Sequence, residues 1–63
     1  MVTEIEVWRS AKLLIRHYGD AAFQHAEQKA DELKAKADLD GWAKWLRIAA
    51  AVLELQEGRD TDG

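Results

Sequence analysis

Residues 40–57 of this chain read DGWAKWLRIAAAVLELQE and form the most apolar segment of the sequence. The pair Asp40 and Gly41 marks the start of a helix here, and Gly58 closes it. At about 100° per residue, its apolar side chains spread over about 240° of the helix surface; they are Trp42, Trp45, Leu46, Ile48, Ala49, Ala50, Val52, Leu53 and Leu55. Because one neighbouring helix cannot cover so broad a face, we expect this helix to pack against two others and still to leave apolar surface exposed.

Two further helices are predicted upstream, joined by a tight turn. The first opens with a capping box at Thr3 and Glu6 and runs through WRSAKLLIRHY. It stops at Gly19, which adopts the left-handed conformation of a helix C-terminus at little cost. Asp20 then caps the second helix. A turn this short makes the two helices antiparallel neighbours.

The second helix, AAFQHAEQKADELKAKA, fades at Asp38 and has the narrowest apolar face. That face spans about 100° and consists of Ala22, Phe23, Ala26, Ala30, Leu33 and Ala37. The pattern predicts an all-α fold, a compact bundle of three short helices with the third helix central. The alternative is a helical hairpin with a frayed extra helix. We expect one three-helix domain over residues 1–57 and a disordered acidic tail over residues 58–63.

Length and composition exclude several classes of protein. The chain has 63 residues, no cysteine, no proline and a net charge of −3, which allows one small domain and no disulfide framework. It contains no run of about 18 apolar residues that would span a membrane. Its first residues, MVTEIEVWRS, are acidic before they are apolar, the reverse of a secretory signal. We therefore expect a cytoplasmic protein.

So short a chain is expected to need a partner. Below about 70–80 residues, one hydrophobic core rarely supplies more than about 3–5 kcal/mol of net stability. Disulfides cannot add to that here, and a bound metal is not indicated, so another protein chain is the expected source of further stability.

The reactive side chains form no recognisable catalytic pattern, and we expect no enzyme activity. His17 and His25 are separated by the predicted helix break at Gly19, so they lack the spacing that places two imidazoles on one metal ion. Asp38 and Asp40 resemble the start of a calcium loop, but the remaining ligands are missing. The sequence therefore predicts no catalytic, metal or cofactor site.

Binding to nucleic acid is also disfavoured. The third helix would be the recognition helix of a helix-turn-helix, yet its only cations are Lys44 and Arg47. No basic stripe runs along any of the helices. We expect no direct contact with nucleic acid, and a small DNA-binding protein remains the less favoured alternative.

Three tryptophans are many for a chain of this length. Trp8 lies in the middle of the apolar face of the first helix and is predicted to be in the core. Trp42 and Trp45 point about 60° apart on a helix, so both could be core residues, or at least one is an exposed anchor for a partner. The predicted partner-binding face consists of Leu13, Tyr18, Trp42, Trp45, Leu46 and Leu53.

Several short motifs resemble those of a known group of proteins. The shared pattern consists of a W-x-x-A-x-x-L-I segment, a Y/H-G-x-x-A turn, A-D-E-L, D-x-D-G and W-x-R-I-x-x-A-V-x-E-L. In this chain these motifs lie at Trp8 to Ile15, Tyr18 to Ala22, Ala30 to Leu33, Asp38 to Gly41 and Trp45 to Leu55. From Val7 to Gln56 the chain resembles a group of short helical proteins of alphaproteobacteria, most of them uncharacterised, and it is similar to the QseM-type antiactivator of rhizobial mobile symbiosis islands.

That resemblance implies a role in bacterial transcription regulation, in the quorum sensing that controls a mobile genetic element. An antiactivator of this type is small and blocks transfer genes by binding a transcriptional activator directly. We therefore expect a non-enzymatic interaction module that occludes a transcriptional activator through an apolar helical face bearing tryptophan. The main alternative is a self-associating structural or dimerisation domain, and a homodimer is a possible partner state.

Overall fold

The computed structural model describes residues 4–58, and all of its regular structure is helical. The elements in chain order are helix α1 (Glu4–Tyr18), a 3₁₀ turn (Gly19–Ala21), helix α2 (Ala22–Ala35), helix α3 (Leu39–Leu53) and a π-helical turn (Glu54–Gly58). No strand occurs between residues 4 and 58, so the prediction of an all-α fold is confirmed.

The compact bundle of three separate helices is wrong, and the alternative prediction of a helical hairpin fits better. Helical structure is continuous over residues 4–35 and again over residues 39–58, with one break between them. Asp20 makes no capping hydrogen bond to α2, contrary to the prediction. Instead, the amide of Ala22 donates to the carbonyl of Gly19, so the chain bends within a helical turn. The molecule is 40 Å long, whereas a straight 15-residue helix measures about 22 Å.

The core lies where α3 meets the other two helices. The α2–α3 contact is the most extensive, and α1 packs more on α3 than on α2, so α3 contacts two neighbours as its broad apolar face predicted. The buried side chains are Val7, Ala11 and Leu14 of α1, Ala22, Ala26 and Ala30 of α2, and Ile48, Ala49, Ala51 and Val52 of α3. No polar or charged side chain is buried in the part of the chain that the structure describes. Packing of apolar side chains therefore dominates the fold.

The turn between α2 and α3 is a Schellman motif built on alanine. The amide of Asp38 donates to the carbonyl of Leu33 at 2.8 Å, and the amide of Ala37 donates to the carbonyl of Lys34 at 3.0 Å. These are the two hydrogen bonds that close a helix through a left-handed residue. That residue is Ala37, with φ of 63°.

Helix α3 starts earlier than predicted. Its N-cap is Asp38, whose side chain accepts a hydrogen bond from the amide of Gly41 at 3.1 Å, so neither Asp40 nor Gly41 begins the helix. A Cβ at Gly41 would lie 2.7 Å from Oδ2 of Asp38 and 2.9 Å from Cδ1 of Leu33. The absent side chain thus lets the cap and the end of α2 approach the new helix closely.

Replacing Ala37 with glycine is expected to stabilise the protein by about 1 kcal/mol, because a side chain at positive φ is strained and glycine is not. Urea denaturation followed by circular dichroism would measure the change. Ala35→Gly is the matched control, since Ala35 is helical and glycine in a helix costs up to about 1 kcal/mol. Equal destabilisation by both variants would contradict the assigned conformation of Ala37.

Two predictions fall wholly or partly outside the described residues. Thr3, the first residue of the predicted capping box, lies outside them, and so do residues 59–63 of the predicted acidic tail. The capping box and the tail therefore stay predictions, as does the single domain over residues 1–57.

Candidate interaction surface

A row of apolar side chains lies exposed along α3. Leu39, Leu46 and Leu53 are 61%, 43% and 40% exposed, and they follow each other at intervals of seven residues. Ala43 and Ala50, between them, are exposed as well. At about 100° per residue these five positions stay within about 80° of one side of the helix. We call this set, Leu39, Ala43, Leu46, Ala50 and Leu53, the α3 stripe.

The α3 stripe is exposed because α3 is apolar around most of its circumference. Ile48 and Val52 are buried against α1 and α2 on the opposite side of the helix. Two neighbours on that side leave the outer side uncovered. This is the residual apolar surface that the sequence of α3 led us to expect.

The three tryptophan side chains are half-buried, so none of them projects fully into solvent as an anchor for a partner would. Trp8 and Trp45 are half-buried and pack against the core. Trp42 is also half-buried, and Nζ of Lys34 lies 5.2 Å from the centroid of its ring, a distance typical of a cation–π contact. All three side chains therefore contribute to the fold.

Leu13 and Tyr18 lie on α1. Leu13 is 52% exposed and points away from the buried side of α1, where Ala11 and Leu14 pack. The ring of Tyr18 stacks on that of His25, with centroids 3.9 Å apart and planes at 18°. Close by, Nε2 of Gln56 donates to the carbonyl of Gly19 at 2.9 Å. Tyr18 thus belongs to the contacts around the α1–α2 bend.

Of the six residues predicted to bind a partner, the structure brings Leu46 and Leu53 together on one continuous surface. Their neighbour Leu39 was missed because we placed the start of the third helix at Asp40. The signal that would have found it is the seven-residue spacing of the three leucines. Ile5, the most exposed large apolar side chain that the structure describes, was also missed.

Charged side chains border one edge of the α3 stripe. Asp40, Arg47 and Glu54 each follow a stripe leucine by one residue, and all three are exposed. A salt bridge joins Lys29 and Glu32 at 3.8 Å. Neither Asp40 nor Arg47 forms an ion pair within residues 4–58.

A shallow groove runs beside this edge, between α1 and α3. It is lined by Glu4, Val7, Trp8, Arg47, Ala50, Ala51 and Glu54. Among residues 4–58 no group of three or more histidine, aspartate or glutamate side chains is arranged to hold a metal ion. The prominent chemical feature of the described surface is thus an apolar stripe with a charged border.

No protein-family model matches the chain, and the comparisons with curated proteins and with solved structures also give no match. None of the helices within residues 4–58 has the length and apolar character needed to cross a membrane.

Proposed function

We propose that this protein is a cytoplasmic, non-enzymatic interaction module that acts as an antiactivator-like regulator. In this proposal the α3 stripe binds an apolar helical surface of a transcriptional activator and covers a region that the activator needs for dimerisation, DNA binding or contact with polymerase. The observation that carries it is the exposure of Leu39, Leu46 and Leu53 along one side of α3.

Physical chemistry supports a protein partner for this surface. Exposed large apolar side chains gathered on one face are typical of interaction sites. Leucines spaced by seven residues match the side-chain period of a second helix packed alongside. An apolar helix face of this kind fits the helix-in-groove mode of recognition, in which such a face lies in a hydrophobic groove of the partner. The net charge of −3 would favour a basic partner and speed its encounter with this chain.

The activator as target is supported by the sequence resemblance described above. A regulator that inhibits an activator by covering part of its surface needs no catalytic group and no cofactor. It needs one apolar surface that binds the activator. An exposed apolar face of this kind lies on α3, whereas Trp42 and Trp45, of which at least one was a candidate anchor, are both half-buried, and Trp45 packs against the core. We therefore assign the contact mainly to the stripe leucines, and assign the tryptophans a supporting role.

Affinity capture with matched variants tests this proposal. The tagged chain is incubated with lysate of its native host, washed at high salt, and the bound proteins are identified by mass spectrometry. The wild-type chain is expected to retain a transcriptional activator in stoichiometric amount. The double variant Leu46→Gln/Leu53→Gln is expected to bind at least about tenfold more weakly, because each buried leucine adds more than about 1 kcal/mol to an interface.

Leu13→Gln is the control. The sequence placed Leu13 on the partner-binding face, but Leu13 lies on α1, and this proposal leaves it outside the contact although its exposure is similar to that of the stripe leucines. This variant should capture the activator as the wild type does. The purified activator should also lose DNA binding when the wild-type chain is added. Retention of the activator by the stripe variant, or DNA binding that persists in the complex, would refute the proposal.

A further inference from the structure

We propose that the α3 stripe also joins two copies of this chain in an antiparallel dimer, in which Asp40 of each copy pairs with Arg47 of the other. The proposal does not depend on the activator, since it concerns the free protein. Its basis is the spacing of the stripe and the charges along its border. Because both complexes would use the stripe, a dimer and an activator complex would exclude each other.

The stripe has the pattern of one side of a coiled coil. Leucine recurs at 39, 46 and 53, and alanine recurs at 43 and 50, so the intervals alternate between four and three residues. These are the two core positions of a heptad repeat. All five side chains are exposed, so they are accessible to a second helix packed alongside α3.

Alternation of large and small side chains favours antiparallel pairing. In a parallel pair, each core position meets its own equivalent, which would stack leucine on leucine and leave a gap between facing alanines. In an antiparallel pair, the two core positions meet each other, so every layer combines one leucine with one alanine. Antiparallel helix dipoles also attract each other.

Two antiparallel registers give four leucine–alanine layers each, so the apolar packing does not distinguish them. In the first, Leu46 meets Ala43 of the second copy, and Leu39 meets its Ala50. In the second, shifted by seven residues, Leu46 meets Ala50 and Leu53 meets Ala43. A further shift in the same direction keeps only two such layers.

Border charges select the first register. It places Asp40 opposite Arg47 of the second copy, and the two-fold symmetry repeats this pair. The second register instead places Arg47 opposite Arg47, and Asp40 opposite Glu54. Like charges at such positions are unfavourable, and opposite charges set the orientation and register of a coiled coil. Both Asp40 and Arg47 are exposed and outside any ion pair within residues 4–58.

The dimer is expected to be weak. A contact along part of one 15-residue helix buries less than the roughly 800 Å² per partner of a standard interface. Sedimentation equilibrium of the full 63-residue chain should therefore be measured at protein concentrations from about 10 μM to 1 mM, the range in which such weak association is resolved. The expected result is a reversible monomer–dimer equilibrium.

Two substitutions locate the surface. Leu46 belongs to a core layer of the proposed pair, so Leu46→Gln should raise the dissociation constant at least about tenfold. Leu13→Gln should leave the dissociation constant unchanged, since Leu13 lies on α1, outside the α3 stripe, at a similar exposure of 52% against 43% for Leu46. A chain that stays monomeric at about 1 mM, or an equal effect of the two substitutions, would overturn the proposal.

A charge exchange tests the orientation. Arg47→Glu alone places two carboxylates opposite each other and should weaken the dimer. The double variant Asp40→Arg/Arg47→Glu recreates both pairs with their signs reversed, and its dissociation constant should return towards that of the wild type. Failure of the double variant to recover, with its helicity intact by circular dichroism, would overturn the antiparallel register. These measurements use the chain alone, so their failure would leave the activator proposal standing.

Discussion

Replacing Ile48 by alanine is expected to unfold most of the protein at 37 °C. Ile48 is 1% exposed, and it and Val52 are the largest fully buried side chains that the structure describes. Truncating a buried isoleucine to alanine costs about 2–5 kcal/mol. A single core in a chain of this size supplies only about 3–5 kcal/mol of net stability. The loss is therefore comparable to the whole stability of the fold.

Thermal unfolding followed at 222 nm by circular dichroism would show the effect as a large fall in Tm. Leu46→Ala is the control, because Leu46 lies two residues earlier in the same helix and is exposed on the opposite side. Exposed substitutions of this kind usually change stability by no more than about 0.5 kcal/mol. Similar losses of Tm in both variants would show that the assigned inner and outer sides of α3 are wrong.

The all-α class and the position of α3 were predictable because both depend on local pattern. Apolar residues around 240° of a helix require two neighbours wherever those neighbours lie, and the structure places α1 and α2 on it. The left-handed Gly19, with φ of 56°, was likewise predictable, because glycine at a helix end has few other roles.

The start of α3 was not predictable from residue preferences. A left-handed residue after a helix is usually glycine or asparagine, but here it is Ala37, so the sequence carries no mark of the turn. Asp38 then caps α3, two residues before Asp40, the helix start that the sequence predicts. That displacement placed Leu39 in a predicted loop and concealed the repeat of leucines.

Continuity of the first helical stretch also escaped prediction. Glycine followed by aspartate typically ends one helix and caps the next. In this chain Gly19 and Asp20 lie within a 3₁₀ turn that passes directly into α2, and Gln56 of the π-helical turn donates a hydrogen bond to the carbonyl of Gly19. Such a contact across 37 residues depends on the tertiary arrangement and has no local signal.

The candidate surface was only partly predictable for the same reason. Sequence shows that Trp42, Trp45 and Leu46 lie on an apolar helix, but their burial depends on where α1 and α2 approach α3. Trp45 is half-buried against the core, whereas Leu46 is exposed. The side that remains open could be inferred only after both neighbours had been placed.

Small side chains fill much of the core, and several large apolar side chains lie exposed within residues 4–58. Six of the ten buried apolar residues are alanines, whereas leucines and an isoleucine are among the most exposed apolar side chains within residues 4–58. Burying alanine removes little apolar area from water, so the core alone stabilises the fold modestly. A partner that covers the α3 stripe would add the burial that the core lacks and would raise the stability by mass action.

Enlarging one of the small core residues is expected to be almost as damaging as truncating Ile48. Ala22, Ala26 and Ala30 recur every four residues along α2 and are all buried, and α2 makes the most extensive contact with α3. Alanines at this spacing let two helix backbones approach closely. Ala26→Leu adds three carbon atoms at a fully buried position and is expected to cost about 3 kcal/mol.

Urea denaturation of this variant would measure the cost, with Ala35→Leu as the control at an exposed position of the same helix. Leucine and alanine have similar helix propensities, so Ala35→Leu should leave the midpoint nearly unchanged. The difference in urea midpoint between the two variants therefore measures how poorly the space between α2 and α3 accommodates a larger side chain. A wild-type urea midpoint for Ala26→Leu would mean that α2 and α3 can move apart without loss of stability. The close contact at the alanines of α2 would then not stabilise the hairpin.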